Sequence, residues 1–233
     1  MPGDIRLYDY WRSSASYRVR IALNLAGLAF ESVPVDLTQA EQSADAHLAR
    51  NPQGLVPVLE IDGLRLTQSL AIIFYLEETG RLRLAPADPA LRARVRAFAL
   101  AIAAEMAPIC NRRVLERIEA LTGRAEAAAE WITGTLGPEL AALEAMLPGP
   151  PGPYAFGDAV TLADICLVPQ IYNARRCDVD LSAMPRLRAI DAACRALPAF
   201  AEAAPETVRD APPKTRRANE TDDPARSNPG GKT

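Results

Sequence analysis

An arginine and three serines stand where a short apolar segment gives way to a helix. Arg12-Ser13-Ser14-Ala15-Ser16 follows the predicted strand Ile5 to Tyr8 and leads into an apolar stretch at helical spacing, Val19 to Ala26. The first turn of a helix has unpaired backbone N–H groups and a partial positive charge. A serine hydroxyl and a bound anionic sulfur or carboxylate are therefore both stabilised there. Serine is also a common helix cap, and a purely structural role for Ser13 or Ser14 is the competing interpretation.

Arginines occur in three positions suited to an anionic substrate. They are Arg12 beside the serines, Asn111-Arg112-Arg113 in a predicted helix, and Arg175-Arg176 at the end of a later one. A guanidinium pairs with a carboxylate through two parallel hydrogen bonds, so a substrate with two carboxylates needs two separated arginines. Adjacent helical residues point about 100° apart, and the sequence leaves Arg112 and Arg113 as alternatives. A solvated or paired arginine is the structural alternative at each position.

The composition is that of a globular protein, and the low net charge favours a small molecule as the substrate. The 233 residues carry a formal net charge of -3, which gives no general attraction to nucleic acid or to an anionic membrane. The four cysteines form no CxxC pair and the single His47 cannot complete a His/Cys zinc pattern, so we expect free thiols and no metal. A secretory signal and an apolar run of roughly 18 to 20 residues are both lacking, and we expect a cytoplasmic protein.

The first eighty residues alternate strand and helix signals. Strands are predicted at Ile5 to Tyr8 and Phe30 to Val35, and a hairpin joins Val58 to Ile61 with Leu64 to Leu66. One helix is predicted after each of the first two strands and one after the hairpin. The second of these helices spans Thr38 to Arg50 and the third spans Ser69 to Thr79. His47 is expected on the surface of the helix from Thr38 to Arg50. The order βαβαββα implies one mixed sheet covered by helices.

The chain from Ala90 onward is predicted to be all-helical. Helices are expected at Ala90 to Leu121, Ala125 to Leu147, Leu162 to Cys177 and Pro185 to Leu197. Thr161 to Asp164 has the pattern of a capping box with Asp in place of Glu or Gln, so Asp164 is given a structural role. We expect a first domain at 1–82, a linker at 83–89, a helical domain at 90–204 and a disordered tail at 205–233, where large apolar side chains almost vanish.

Three separated segments resemble those of one class of enzymes. Ser13 to Leu23, Leu66 to Ile73 and Phe156 to Gln170 look like the signature segments of zeta-class glutathione transferases, in the same order. The resemblance covers roughly residues 4 to 204. It implies an α/β thioredoxin-like N-terminal domain, an all-α C-terminal domain, glutathione as cofactor and a homodimer. The class includes maleylacetoacetate and maleylpyruvate isomerases of aromatic or tyrosine catabolism.

The resemblance also assigns residues to a glutathione site. Val56 would pair with the cysteinyl backbone ahead of a cis Pro57, a residue that would otherwise be interpreted as a plain turn proline. Gln68 and Ser69 would hold the γ-glutamyl carboxylate at a helix start, although Ser69 can also be only an N-cap. Gln42 matches a glutathione contact by position, with a solvated surface glutamine as the alternative.

The remaining assignments concern the sulfur and the substrate. Ser13 or Ser14 would donate a hydrogen bond to the glutathione sulfur, with Arg12 beside them. The resemblance places Arg176 near the electrophile. The segment from Asn111 to Arg113 is similar to the maleylpyruvate branch, and Asn111 is counted with the glutathione site.

These assignments imply glutathione-dependent cis–trans isomerisation of a dianionic maleyl keto acid, by reversible addition of the thiolate to the cis double bond. Two residues depart from the class. Ala15 stands where many zeta enzymes carry Cys, and Ala107 stands where isomerases often present Gln or His, and a methyl group donates no hydrogen bond.

Three alternatives remain open. The first is a general zeta-class transferase that conjugates glutathione or dehalogenates α-haloacids. The second is a non-catalytic binding module on the same fold. The third is nucleic-acid binding through Lys214 to Arg217, which the acidic residues of the tail and its lack of aromatic side chains disfavour.

Overall fold

A four-stranded mixed sheet forms the N-terminal part of the protein, for which a computed structural model describes residues 5–149 and 152–208. Its strands are β1 (Arg6–Asp9), β2 (Glu31–Pro34), β3 (Val58–Ile61) and β4 (Leu64–Thr67). They lie in the order β2-β1-β3-β4, with β1 parallel to β2 and antiparallel to β3, and with β3 antiparallel to β4. The predicted mixed sheet, with its parallel βαβ unit and its hairpin, is confirmed.

Helices cover the sheet and, with the segments that connect them, make up the rest of the described chain. They are α1 (Ser14–Leu25), α2 (Asp45–Leu48), α3 (Ser69–Glu78), α4 (Pro89–Leu100), α5 (Ala107–Ile109), α6 (Arg112–Thr122), α7 (Ala127–Met146), α8 (Leu162–Arg176), α9 (Pro185–Arg195) and α10 (Pro198–Ala203). Helix α8 is buried along most of its length and packs against α1, α4 and α9.

The single helix predicted from Ala90 to Leu121 is wrong. Helix α4 passes through a π-helical segment, Ala101–Met106, into α5, and the helical path ends at Cys110. Asn111 is extended, at φ -66° and ψ 144°, and α6 starts anew after it. Pro108 follows the π-helical segment, and it disturbs that preceding turn because it has no N–H to donate and its ring crowds the turn.

The helix predicted from Thr38 to Arg50 is also wrong. Only a 3₁₀ turn, Glu41–Ser43, and the four-residue α2 form there, after Ala40 in the left-handed region at φ 57°. The Asp36 carboxylate accepts from the Thr38 backbone at 2.7 Å, and the Glu41 carboxylate accepts from the Asp36 backbone at 2.7 Å. Such local side-chain bonds compete with a regular helix.

A capping box fixes the start of the buried helix α8. The Asp164 carboxylate, fully buried, accepts from the Thr161 backbone N–H at 2.8 Å, from the Thr161 hydroxyl at 3.0 Å and from the Ala155 N–H at 2.8 Å. The predicted capping box is confirmed, and Asp164 serves as its acceptor.

Arg20 joins the sheet to the C-terminal end of the described chain. Its guanidinium donates to Asp9 at 2.6 Å, to the Trp11 carbonyl at 2.9 Å and to the Ala203 carbonyl at 3.0 Å. Arg20 and Asp9 are both buried. This buried ion pair holds the segment that carries Arg12 and Ser13 against α10.

The tail predicted to be disordered from Pro205 begins with a turn at residues 205–208, in which the Thr207 hydroxyl donates to the Ala201 carbonyl at 2.9 Å. The rest of that prediction, including Lys214 to Arg217, lies outside the described residues. Within the described ranges, no helix combines the length and apolarity needed to cross a membrane. The same ranges contain no group of His, Cys, Asp or Glu that could hold a metal ion.

Candidate active site

Ser13 and Ser14 begin α1 with different hydrogen bonds. Ser13 is the N-cap, and its Oγ accepts from the Ser16 backbone N–H at 3.2 Å. The Ser14 hydroxyl donates to the Pro169 carbonyl of α8 at 3.4 Å. The Ser13 oxygen is therefore used as an acceptor, which leaves its proton available, whereas the Ser14 proton already has a partner.

Arg12 lies directly before these serines and stacks on an aromatic side chain. Its guanidinium carbon is 4.8 Å from the centroid of the Trp11 ring, and Nη2 donates to the Tyr10 hydroxyl at 3.0 Å. This cation–π contact limits the motion of the guanidinium, and its remaining N–H groups stay able to donate. The structure thus holds a cation beside the N-terminus of α1.

The backbone of Val56 precedes a cis peptide bond to Pro57, as the resemblance implied. His47 Nε2 lies 3.0 Å from the Leu55 carbonyl oxygen, and the Asn51 side-chain amide donates to the same oxygen at 2.9 Å. In a planar trans peptide the C=O and the next N–H point in opposite directions, so anchoring the Leu55 carbonyl directs the Val56 N–H away from it. Among the described residues neither the N–H nor the C=O of Val56 is hydrogen-bonded.

The expectation that His47 lies on the surface is wrong, since it is 2% exposed. Because a carbonyl oxygen can only accept, the bond to Leu55 places the His47 proton on Nε2. The histidine packs beneath the segment that leads to Val56. The residues Asn51-Pro52-Gln53-Gly54 are typical of a turn, but such a pattern gives no indication of a buried partner for the segment.

Gln68, not Ser69, is the N-cap of α3, which corrects the interpretation of Ser69 as a cap. Gln68 has φ 67° and ψ 114°, and its amide donates to the Gln53 side chain at 2.9 Å. Ser69 is the first helical residue, and its Oγ accepts from Arg18 Nη1 at 3.1 Å. The backbone N–H groups of residues 69–71 form no hydrogen bond within the part of the chain that the structure describes.

Arg18 is a site residue that the sequence did not single out. It is 3% exposed, and burial lowers the pKa of its guanidinium. The available signal was a pair of arginines, Arg18 and Arg20, that alternate with apolar residues in the middle of the helix. That pattern does not reveal which neighbour each guanidinium contacts.

Gln42 lies beside the loop that leads to Val56. Its side-chain oxygen is buried and has no hydrogen-bond partner in the described chain. A Cβ added to Gly54, at φ +61°, would lie 3.2 Å from the Gln42 carbonyl oxygen, so glycine permits this close approach. The buried orphan oxygen is able to accept an N–H from a bound molecule.

The arginines of α6 are exposed and differ in their contacts. Arg112 donates to the Leu37 carbonyl and pairs with Glu116 at 2.5 Å. Arg113 forms no ion pair with any described residue. Asn111 is the N-cap residue of this helix, and its side chain makes no capping hydrogen bond to the described backbone.

Tyr172 is a second residue that sequence reasoning missed, and it relates Arg12 to Arg176. Arg176 is exposed near the end of α8 and donates to the Asn173 amide oxygen at 2.7 Å. Tyr172 is one turn earlier and half-buried. Burial and the charge of Glu206 raise the pKa of its hydroxyl, while the charges of Arg176 and Arg12 act in the opposite direction. Both guanidinium groups therefore lie within electrostatic range of one tyrosine.

The cysteines are poor candidates for a nucleophile. Burial raises the pKa of the Cys110 thiol to about 11 and that of Cys166 to about 11. A thiol with such a pKa is almost entirely protonated near neutral pH, and it is the thiolate that reacts. The chain's own thiols are thus poorly suited to act as the nucleophile, whereas the start of α1 suits an anionic sulfur brought in by a bound molecule.

Family models agree with this arrangement. The glutathione S-transferase N-terminal domain matches residues 3–78, and the C-terminal domain matches residues 115–202. The chain belongs to the glutathione S-transferase family.

Individual relatives place this transferase more narrowly. It is 57% identical to the maleylacetoacetate isomerase of Rhizobium meliloti over 212 residues, which is 90% of this chain and 100% of that protein. A holo structure of a maleylpyruvate isomerase, described as a bacterial zeta-class transferase, superposes with a TM-score of 0.86 at 45% identity and covers 89% of this chain and 100% of the other.

A third relative carries ligands. The maleylacetoacetate isomerase of Anaeromyxobacter dehalogenans, with dicarboxyethyl glutathione and citrate bound in its active site, gives a TM-score of 0.80 at 45% identity, over 90% of this chain and 98% of that one. The predicted membership of the zeta class and the predicted fold are confirmed. The roles assigned to single residues stay predictions.

Proposed function

We propose that this transferase is a glutathione-dependent cis–trans isomerase of a dianionic maleyl keto acid, maleylacetoacetate or maleylpyruvate. The observation that carries the proposal is the set of unused donors at the starts of α1 and α3, on either side of the open backbone of Val56. The similarity to named maleylacetoacetate and maleylpyruvate isomerases supports this substrate class.

The residues present fit glutathione. The open N–H and C=O of Val56 match a cysteinyl backbone. The start of α3, where no described side chain bonds the N–H groups of residues 69–71, matches a carboxylate together with Gln68 and Ser69. The buried orphan oxygen of Gln42 matches an N–H donor. Asn111, at the N-cap of α6, remains a further candidate contact. When bound, glutathione supplies the thiolate that adds reversibly to the cis double bond of the substrate.

Ser13 is the hydroxyl that we assign to the sulfur. Its oxygen already accepts from Ser16 N–H, so its proton is available to donate, and the start of α1 adds a partial positive charge. Both effects favour a thiolate over a thiol. Ser14, which donates to the Pro169 carbonyl, is the alternative.

Arg12 and Arg176 are assigned to the two carboxylates of the substrate. A guanidinium offers planar paired donors that match a carboxylate, and two arginines separate the two charges. Arg112 and Arg113 at the start of α6 are alternative substrate contacts. We prefer Arg113, because Arg112 already donates to Glu116 and to the Leu37 carbonyl. Substrate oxygens that gain negative charge during the reaction would be stabilised by the same donors.

Three further statements belong to this proposal. The protein acts in the cytoplasm, in aromatic or tyrosine catabolism, and as a homodimer. The relatives named as isomerases support the catabolic role. Light scattering of the purified protein tests the homodimer, and a mass of one chain would contradict it. The division into domains at 1–82 and 90–204 also stays a proposal.

The first experiment measures isomerisation of maleylacetoacetate and of maleylpyruvate, each with and without glutathione, through a coupled hydrolase specific for the trans product. We expect turnover that requires glutathione, and the faster substrate identifies the pathway. If neither substrate turns over, the isomerase proposal is wrong. Ala107 would then be interpreted as a functional loss, and absence of glutathione binding as well would favour a binding module.

A second experiment separates an isomerase from a general conjugating or dehalogenating transferase. Arg176→Ala should raise KM for the maleyl keto acid about 10- to 100-fold, because a charge-assisted hydrogen bond contributes about 1.5–3 kcal/mol. Conjugation of an uncharged electrophile should fall much less. Arg188→Ala, an exposed arginine on α9, is the matched control. An equal loss in both reactions would contradict a substrate role for Arg176.

A further inference from the structure

Arg18 reaches from α1 to the N-terminus of α3. Its Nη1 donates to the Ser69 hydroxyl oxygen at 3.1 Å, and its Nε is buried with no hydrogen-bond partner in the described chain. The residue is 3% exposed. Burial of a guanidinium with an unused donor destabilises the fold unless another interaction compensates for the lost hydration.

No carboxylate of the described chain compensates this charge. Arg18 forms no ion pair within residues 5–149 and 152–208, and the titratable group that acts on it is Cys166 of α8. The Cys166 thiol is neutral near pH 7, since burial raises its pKa to about 11. The start of α3 therefore has a buried positive charge beneath it that no described residue neutralises.

The hydrogen bond from Arg18 also sets the direction of the Ser69 hydroxyl. A guanidinium has donors only, so the Ser69 oxygen accepts and its own proton must point elsewhere. Within the described residues that proton has no acceptor. The N–H groups of residues 69–71 are unused as well, and the Gln68 amide is engaged by Gln53. The Ser69 proton, the N–H groups of residues 69–71 and the buried charge of Arg18 all favour an anion at the start of α3.

We propose that Arg18 is a positioning residue for the anionic end of the cofactor. It turns the Ser69 proton toward a bound carboxylate and supplies the buried positive charge behind it, without touching the carboxylate. This inference rests on the proposed function, in which the γ-glutamyl carboxylate of glutathione lies at the start of α3. Arg18 then determines the preference for a tripeptide that carries that carboxylate.

The test compares two ligands on four forms of the full chain. The ligands are glutathione and 4-aminobutyryl-cysteinylglycine, which lacks only the γ-glutamyl carboxylate. The proteins are the wild type, Arg18→Met, Arg18→Lys and the exposed control Arg188→Met, and isothermal titration calorimetry measures each Kd. The wild type and the control should prefer glutathione. Arg18→Met should weaken glutathione binding about 10- to 100-fold, as for loss of a charge-assisted interaction, and change the Kd of the analogue less than about 3-fold.

Arg18→Lys keeps the charge and should retain most of the preference for glutathione over the analogue. It also covers the case in which Arg18→Met does not fold, since collapse of the preference in a folded Arg18→Lys would overturn the role of the buried charge. Equal losses for both ligands, or no loss, would show Arg18 to be merely structural. A wild type that binds no glutathione would overturn the proposed function too, whereas an unchanged preference in folded Arg18→Met would overturn only the role of Arg18.

Discussion

At the scale of single residues, the hydrogen bonds of Ser13 separate its structural role from its chemical role. Its oxygen caps α1 and its proton is available for a sulfur. Ser13→Gly keeps most of the capping, because glycine at an N-cap costs only a few tenths of a kcal/mol, but it removes the hydroxyl. We expect kcat to fall about 10²- to 10³-fold, as when one donor to a developing anion is lost.

The ultraviolet absorbance of the thiolate gives a direct measurement for the same variant. Ser13→Gly should raise the pKa of bound glutathione, because the charged sulfur loses a hydrogen bond. Ser14→Ala is the matched control, since its hydroxyl already donates to Pro169. A larger effect for Ser14→Ala than for Ser13→Gly would reverse the assignment of the two serines.

Cys110 gives a prediction about pH. Burial, aided by the neighbouring Cys177, raises the pKa of its thiol to about 11. The variant Cys177→Ser removes the smaller cause and leaves the burial, so its rate of Cys110 alkylation by iodoacetamide should keep rising about tenfold per pH unit beyond about pH 8.5, because only the thiolate reacts. An unperturbed thiol would level off near its pKa of about 8.5. A plateau below pH 9 would contradict the raised pKa.

The sequence could locate residues better than it could orient them. The serines of α1 and the capping box of Thr161 and Asp164 are local patterns, and both positions were predicted. The proton direction of Ser69 depends on Arg18, 51 residues away, and the burial of His47 depends on the packing of the Leu55 segment over it. Contacts of this kind between distant segments leave no periodic signal in one sequence.

At the scale of elements, agreement was best where the pattern is local and regular. The strands around Asp62-Gly63 and the helix α8 follow from alternation, turn residues and caps. The region from Ala101 to Asn111 has the composition of a helix, yet it forms a π-helical segment and a break. Pro108 sits at the start of α5, where a proline is tolerated, so composition alone did not reveal the interruption.

The capping box of α8 gives a prediction about stability. Asp164→Ala would leave the buried N–H groups of Ala155 and Thr161 without their acceptor, at about 1–3 kcal/mol for each unsatisfied group. We expect the free energy of unfolding in urea to fall by about 2–5 kcal/mol. Asp164→Asn keeps one acceptor oxygen and should lose less. Equal stability of Asp164→Ala and the wild type would contradict the role of the box.

At the scale of the whole molecule, one apolar core runs through both the sheet region and the helical region. Leu7 and Tyr17 belong to the same buried cluster as Phe98, Leu136 and Phe200. A continuous core means that neither region can lose its packing without exposing apolar surface of the other. The ion pair of Arg20 and Asp9 adds a polar link through the Ala203 carbonyl.

We therefore expect the two regions to unfold as one unit, and the two tryptophans can test this. Trp11 follows β1 and Trp131 lies in α7. The single variant Trp131→Phe keeps Trp11 as a fluorescent reporter of the sheet region, and the single variant Trp11→Phe keeps Trp131 as a reporter of the helical region. Their transitions in urea should coincide, as two-state unfolding requires. Arg20→Met should lower the free energy of unfolding by about 3–5 kcal/mol in both backgrounds, because it breaks a buried ion pair.

Arg65→Met is the matched control for that loss, because its ion pair with Glu60 is at the surface, with the Arg65 side chain 46% exposed. Its effect should stay below about 1 kcal/mol. Separate midpoints for the two reporters in the otherwise unchanged chain would show that the shared core does not couple the regions. If Arg20→Met lowers the free energy of unfolding only in the Trp131→Phe chain, which keeps Trp11 as reporter, Arg20 stabilises the sheet region alone. Its bond to the Ala203 carbonyl would then contribute nothing to the coupling of the two regions.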